Sequence, residues 1–339
     1  MAFRKVISFL TLSFITVLSV MAQDDDPIRV DSSIVRLNVG VVDQKGRPIT
    51  NLDKSSFDLF EDGVKQEITR FEPSSAPFSV VIILDMSGST ISFRQTIRMS
   101  ASRFIDALSP NDRVAVVEFY APTKKGSDRK PKINLLNDFT TSRSAILNSI
   151  TVANGDGKSP VYEAINFALD KLSKEKSRRK AVIILTDGVD TAAKDGDLAL
   201  LEPVKDDQIA TTIKPEENDT LIRLLNRADL QGVTIYPLAL PTGDPAKLPD
   251  PTPRLFAMYK AARDRMQLIA SRTGGTLNVI NRLEEMGRLY AQVAADLRTL
   301  YTVEYQPTNA KRDGKWRSIK LNVNDANLIS RTRPGYFAK

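Results

Sequence analysis

No cysteine and no histidine occur among these 339 residues, and tryptophan occurs once. Without thiols the chain has no disulfides, no thiol nucleophile and no thiolate metal ligand. Without imidazole it has no histidine base, and zinc or copper centres of the usual nitrogen and sulfur kind are excluded. The chemistry left is that of carboxylates, hydroxyls and ammonium groups. Long apolar runs are scarce too. Beyond the first 22 residues no stretch is long and apolar enough to span a bilayer. Internal repeats and low-complexity tracts are absent as well. What remains, 42% hydrophobic and 26% charged residues, suits a globular protein with a sizeable core, in one large or two ordinary domains.

The N-terminus has an export signature. Arg4 and Lys5 precede the apolar Val6 to Val20, and Val20-Met21-Ala22 presents small residues before Gln23. Residues 1–22 are expected to be a signal peptide, with an uncleaved N-terminal anchor as the alternative. A diacylglyceryl anchor would need a cysteine at the cleavage site. Cleavage removes Arg4 and Lys5 and no acid, taking the net charge from +7 to +5, a mild surplus for this length. The expected location is secreted or periplasmic.

Residues 28–75 read as β structure. Val35, Leu37, Val39 and Val41 alternate with more polar neighbours as in a half-buried strand. Phe57 to Phe60, a Glu61-Asp62-Gly63 turn and Gln66 to Phe71 read as a hairpin. From residue 76 to 300 apolar strands alternate with helical patterns, which implies an α/β, doubly wound, mostly parallel sheet. From 301 to 337 the β pattern returns. Neither flank can bury both its faces alone, so the two are expected to pack as a small β-sandwich beside the α/β domain.

The stretch that organises the chain is Ser79 to Thr90, SVVIILDMSGST. Val80 to Leu84 read as a strand buried on both faces, ending at Asp85. Open α/β sheets bind ligands beyond the carboxyl ends of such strands. Ser87 and Ser89 follow at alternate positions, so a curved loop brings them and Asp85 to one point. Gly155-Asp156-Gly157-Lys158-Ser159-Pro160 delivers Ser159 just before a helix. A second apolar strand, Lys180 to Thr186, ends in Asp187 on the same rim. Asp85, Ser87, Ser89, Ser159 and Asp187 therefore form a candidate set of hard oxygen ligands. It suits Mg²⁺, with Ca²⁺ or Mn²⁺ as alternatives. Neutral hydroxyls donate little charge, so an ion held there stays electron-poor and seeks an anionic ligand from outside, such as the Asp or Glu side chain of a partner protein.

Asp85-x-Ser87-x-Ser89, then Ser159, then Asp187 in Thr-Asp-Gly resembles the metal-ion-dependent adhesion site of von Willebrand factor type A domains. The resemblance covers about residues 76–300. It implies that the serine hydroxyls contact the ion directly and that the aspartates act directly or through water. Ser159 stands where that family usually has threonine. The flanks extend the likeness. Pro48-Ile49, Leu59 to Gly63 and Gln66 on one side, and Tyr301, Tyr305, Asp313-Gly314-Lys315, Arg317 and Gly335-Tyr336 on the other, resemble an exported VWFA-related group described from acidobacteria. A protein-binding adhesion or assembly module, not an enzyme, is what this implies.

Two basic runs, Lys124 to Lys132 and Lys171 to Lys180, lack the interleaved aromatics of nucleic-acid binding and read as solvated surface. The long segments 189–215 and 241–253 follow sheet strands, should sit on the metal's rim, and read as loops that shape the partner-binding surface. The C-terminal aromatics Tyr301, Tyr305, Trp316 and Tyr336 read as sandwich core. The rival readings are a metal-dependent hydrolase using Asp85 and a metal-free structural scaffold. Against the hydrolase, Ser87 occupies the position where an Asp-nucleophile phosphotransferase carries its general acid, and no base is at hand.

Overall fold

Val80 to Leu84 are fully buried, and alternate members of the run feed two different cores. Val80, Ile82 and Leu84 face one helical layer, and Val81 and Ile83 face the other. That is why β5 (Phe78–Asp85) lies inside a sheet rather than at its edge. The computed structural model describes residues 34–123, 130–175 and 178–338. The expected signal peptide, residues 1–22, and part of the first basic run lie outside them. Among the described residues no helix is long and apolar enough to cross a membrane.

Four strands precede β5: β1 (Val35–Asp43), β2 (Phe57–Glu61), β3 (Val64–Gln66) and β4 (Ile68–Glu72). After it come α1 (Arg94–Ala107), β6 (Arg113–Tyr120), β7 (Lys132–Thr140), α2 (Arg143–Val152), α3 (Val161–Ser173) and β8 (Arg179–Thr186). The block continues with α4 (Thr191–Leu201), α5 (Ile209–Thr212), α6 (Asp219–Gln231), β9 (Val233–Ala239), α7 (Pro253–Thr273), β10 (Asn278–Val279) and α8 (Met286–Thr299). The chain ends in β11 (Tyr301–Tyr305), β12 (Trp316–Val323), β13 (Leu328–Arg331) and β14 (Gly335–Phe337).

The central sheet has six strands in the order β10-β9-β8-β5-β6-β7. All its pairings are parallel except β6 with β7, so β7 closes one edge as an antiparallel strand. The packing of α1, α2 and α8 on one face, and of α3, α6 and α7 on the other, makes it an α/β doubly wound sheet. Leu84 stands opposite Leu185, which puts Asp85 and Thr186 at the same height on the carboxyl rim.

The flanking strands form two antiparallel four-stranded sheets, β13-β1-β11-β4 and β14-β12-β2-β3, and share one apolar core. Each sheet mixes residues from before and after the central block. The hairpin differs from the sequence expectation. β2 turns into the short β3 through Asp62 and Gly63, both with φ positive, and the chain then crosses at Glu67 so that β4 pairs with β11 in the other sheet.

Three more expectations change. Segment 189–215 is not a plain loop but carries α4 and α5. The second basic run is not all solvated surface. Arg179 is buried, donates to the carbonyls of Ser74, Ala76 and Leu300, and stacks 4.0 Å from the centre of the Phe78 ring. Trp316 is 36% exposed and lies outside the core, covering Arg272 at 4.4 Å, whereas Tyr301, Tyr305 and Tyr336 are buried as expected.

Candidate metal centre

Asp85 closes β5 and is completely buried. Both of its carboxylate oxygens are engaged. Oδ1 accepts from the Ser87 amide at 3.0 Å, and Oδ2 accepts from the Ser159 hydroxyl at 3.0 Å and the Thr186 hydroxyl at 2.6 Å. Ser87 and Ser89 lie with their hydroxyls 3.2 Å apart. Thr90 locks the loop between them, donating to the carbonyl oxygens of both Asp85 and Ser87. Asp187 leaves the next strand and accepts from the Val189 amide at 3.0 Å. Ser87, Ser89, Ser159 and Asp187 line a surface depression of about 250 Å³, with Asp85 beneath them. The three chain segments named from sequence thus meet at one place.

The loop that carries Ser159 is tied down by several bonds. Gly88 donates to the Gly157 carbonyl at 2.9 Å, and Ala121 and Lys158 exchange backbone hydrogen bonds. Gly157 has φ near +95°, and a Cβ there would sit 2.1 Å from the Ala121 oxygen, so only glycine lets the loop tuck in this closely. The Arg94 guanidinium bridges the two ligand loops, reaching the Met86 carbonyl at 3.1 Å, the Asn154 side chain at 2.8 Å and the Gly155 carbonyl. Buried Glu118 accepts from the Asn154 amide at 2.7 Å. On the other side the turn Pro241–Gly243 presses on Asp187, since a Cβ at Gly243 would lie 1.8 Å from the Asp187 carbonyl oxygen.

Electrostatics mark the place as short of positive charge. Burial first, and the neighbouring Asp187 second, push the Asp85 carboxyl up to about 6, against hydrogen bonds from Ser87 and Thr186. Asp187 is held above its ordinary range by burial, opposed by hydrogen bonding from Ser89 and the Val189 amide and by the more distant Arg263 and Lys194. Neither acid has an arginine or lysine in ion-pair contact among the described residues. Two buried, adjacent carboxylates without a counter-charge are what a divalent cation would correct. The donor chemistry fits as well. With its proton committed to Asp85, the Ser159 oxygen has only lone pairs left for a ligand.

Thr186 was not among the candidates from sequence, although the Thr-Asp-Gly triplet contains it. Its signal is register: the residue that ends the strand beside β5 must stand next to Asp85. Arg94, Lys194 and Tyr259 carry no signal of their own in the sequence.

A family model for the von Willebrand factor type A domain matches residues 79–249, half of the chain. The chain belongs to that family. Among solved structures it is similar to the von Willebrand factor domain of the type V pili tip protein Mfa5 from Porphyromonas gingivalis. That match has 14% identity and a TM-score of 0.45, over 65% of this chain and 95% of the other. It is similar also to the pilus adhesin SpaC from Lactobacillus rhamnosus GG, with 14% identity and a TM-score of 0.47, over 91% of this chain and 48% of that one. A von Willebrand factor type A protein from Catenulispora acidiphila matches at 13% identity and a TM-score of 0.43, over 91% and 74%. No curated protein matches the chain.

Proposed function

We propose that this chain is an exported, cation-dependent protein-binding module of the adhesion or assembly kind. In this reading Ser87, Ser89 and Ser159 hold Mg²⁺, with Ca²⁺ or Mn²⁺ as alternatives, and Asp85 and Asp187 supply the negative charge. A bound ion supplies one hard, electron-poor position for an acidic side chain of a partner. The chain's own part is to keep water-sized access to that position, to hold three hydroxyls in place and to neutralise the ion only in part. The observation that carries the reading is the pair of buried aspartates with hydroxyls around them and no arginine or lysine in ion-pair contact among the described residues. The resemblance of the flanks to the exported VWFA-related group, and the expected signal peptide at residues 1–22, support export.

The hydrolase reading fares worse on geometry. Asp85 is fully buried and both oxygens are already bonded, so it has no free oxygen with which to attack a substrate. The test is calorimetric titration of the mature chain with Mg²⁺, alongside Asp85→Asn and Ser159→Ala. Heat of binding in the wild type, lost in Asp85→Asn, supports the reading. The same heat in all three proteins, or none in the wild type with any of the three cations, rejects it in favour of a metal-free scaffold.

A further inference from the structure

The depression over the candidate centre has an acidic, hydroxyl-lined floor and a wall of different character. Lys158, Lys194, Asp195 and Tyr259 form that wall. Lys158 is already engaged, 3.6 Å from Asp195, and both side chains are more than half exposed. Lys194, on the first turn of α4, is half-buried and forms no ion pair among the described residues. Tyr259, on α7, is half-buried too, and its phenol takes part in no hydrogen bond among the described residues. The wall therefore offers an ammonium in no ion pair, its charge acting on Asp187 from a distance, and a phenol in no hydrogen bond among the described residues, both donors, beside a floor that offers acceptors.

An ammonium at the lip of a cation site is poorly placed for its own stability, because the two positive charges repel each other. The repulsion is relieved when the guest brings more than one negative charge. We infer that Lys194 and Tyr259 form a second anchoring point beside the ion, so that the partner segment this site takes is one with two neighbouring acidic side chains rather than a lone Asp or Glu. This rests on the proposed function for the first acid and adds the second. Charge complementarity selects the guest: an ion and an ammonium for two carboxylates, with the phenol donating to either.

Two fluorescein-labelled dodecapeptides test it, each with four Glu in an otherwise Gly/Ser sequence, arranged as two adjacent pairs in one and evenly spread in the other. Net charge is equal, so only pairing differs. Anisotropy titrations are run in Mg²⁺ and in chelator for wild type, Lys194→Met, Tyr259→Phe and Asp85→Asn, with Lys158→Met as a control whose ammonium is already paired. Expected in Mg²⁺ is a preference of about fivefold for the paired peptide in the wild type. Lys194→Met should lose that preference while its calorimetric Mg²⁺ affinity equals or exceeds that of the wild type and its melting temperature in chelator is unchanged, and Tyr259→Phe should weaken it. Equal binding of the two peptides by wild type, or an unchanged preference in Lys194→Met, overturns the inference and leaves the metal reading intact. A preference that needs Lys194 but ignores Mg²⁺ and Asp85→Asn overturns the metal reading and leaves the lysine's role standing.

Discussion

The buried aspartates of this molecule differ in their surroundings, and the arginine-paired ones contrast most sharply with the two at the sheet rim. Between α4 and α7, Asp197 is bonded through both oxygens to Arg265 at 2.6 Å. Between α6, α7 and the C-terminal strands, Asp229 lies 2.6 Å from Arg272 and 3.4 Å from Arg333. Burial raises the Asp229 carboxyl, and both guanidiniums pull against that rise. At the sheet rim, Asp85 and Asp187 are buried just as deeply but their hydrogen bonds come from hydroxyls and amides, with Arg263 and Lys194 acting on Asp187 only from a distance. The contrast teaches that neutralisation by arginine is available to this fold and is used for Asp197 and Asp229, whereas Asp112 and Asp190 are held, among the described residues, by backbone amides alone. What marks the rim is that two acids not paired with arginine lie close enough for Asp187 to raise the pKa of Asp85, beside a surface depression.

The largest effect should come from breaking the arginine-paired kind. Asp229→Ala leaves Arg272 and Arg333 buried without their acid and should destabilise the protein by about 3–5 kcal/mol, read by urea unfolding. Asp85→Asn in chelator should do the reverse or nothing, because it removes an uncompensated acid. A second difference separates the two kinds by pH. An acid whose folded-state pKa is raised, here from 3.8 to about 6, gives the folded state extra bound protons between those values. Stability of the cation-free protein therefore falls as pH rises through that window. Acidifying from pH 7.5 to 5 in chelator should stabilise wild type relative to Asp85→Asn by about 1.4 kcal/mol. Equal pH profiles for the two would mean that Asp85 is ionised and compensated by something internal, which would erase the contrast.

A smaller effect belongs to the clasp that sets the rim's geometry. Arg94 bonds to both ligand loops, yet its loss leaves the sheet and both cores untouched. Arg94→Met should weaken Mg²⁺ binding by about tenfold, as loss of a positioning contact commonly does, with a melting temperature in chelator close to wild type. A large drop in melting temperature would instead place Arg94 with the structural charges.

How much of this was legible in sequence depends on where the chain follows simple burial rules. Val80 to Leu84, followed by Asp85, announced both the central strand and the rim acid, because a run without alternation must be buried on both faces. Ser159 was legible only by chemistry, as a hydroxyl arriving after a glycine-rich loop. Helix α4 was not legible, for a physical reason: its pattern is inverted. Asp197 points inward to Arg265, while Leu198 and Leu200 are exposed, so apolar periodicity gives the wrong answer. Arg179 hid in a basic run for a similar reason, since its partners are three carbonyls from distant segments that no spacing rule connects. The hairpin failed at Glu67, where one continuous return strand was expected and the chain instead crosses from one sheet to the other.

The smallest change sharpens the rim from within. Ser159 stands where the family pattern has threonine, and in the proposed centre its oxygen must stay aimed at Asp85 to present its lone pairs outward. A serine side chain samples three χ1 wells, whereas a β-branched residue is confined to fewer. Ser159→Thr should therefore raise Mg²⁺ affinity by roughly two- to threefold, a gain of about half a kcal/mol from reduced rotamer entropy. The hydroxyl count and charge stay the same, so the gain would be one of aim alone. Calorimetry at matched ionic strength measures it. An affinity reduced tenfold or more would show that the added methyl has no room beside the Thr191 and Asp85 contacts, and that steric fit rather than rotamer freedom governs this ligand.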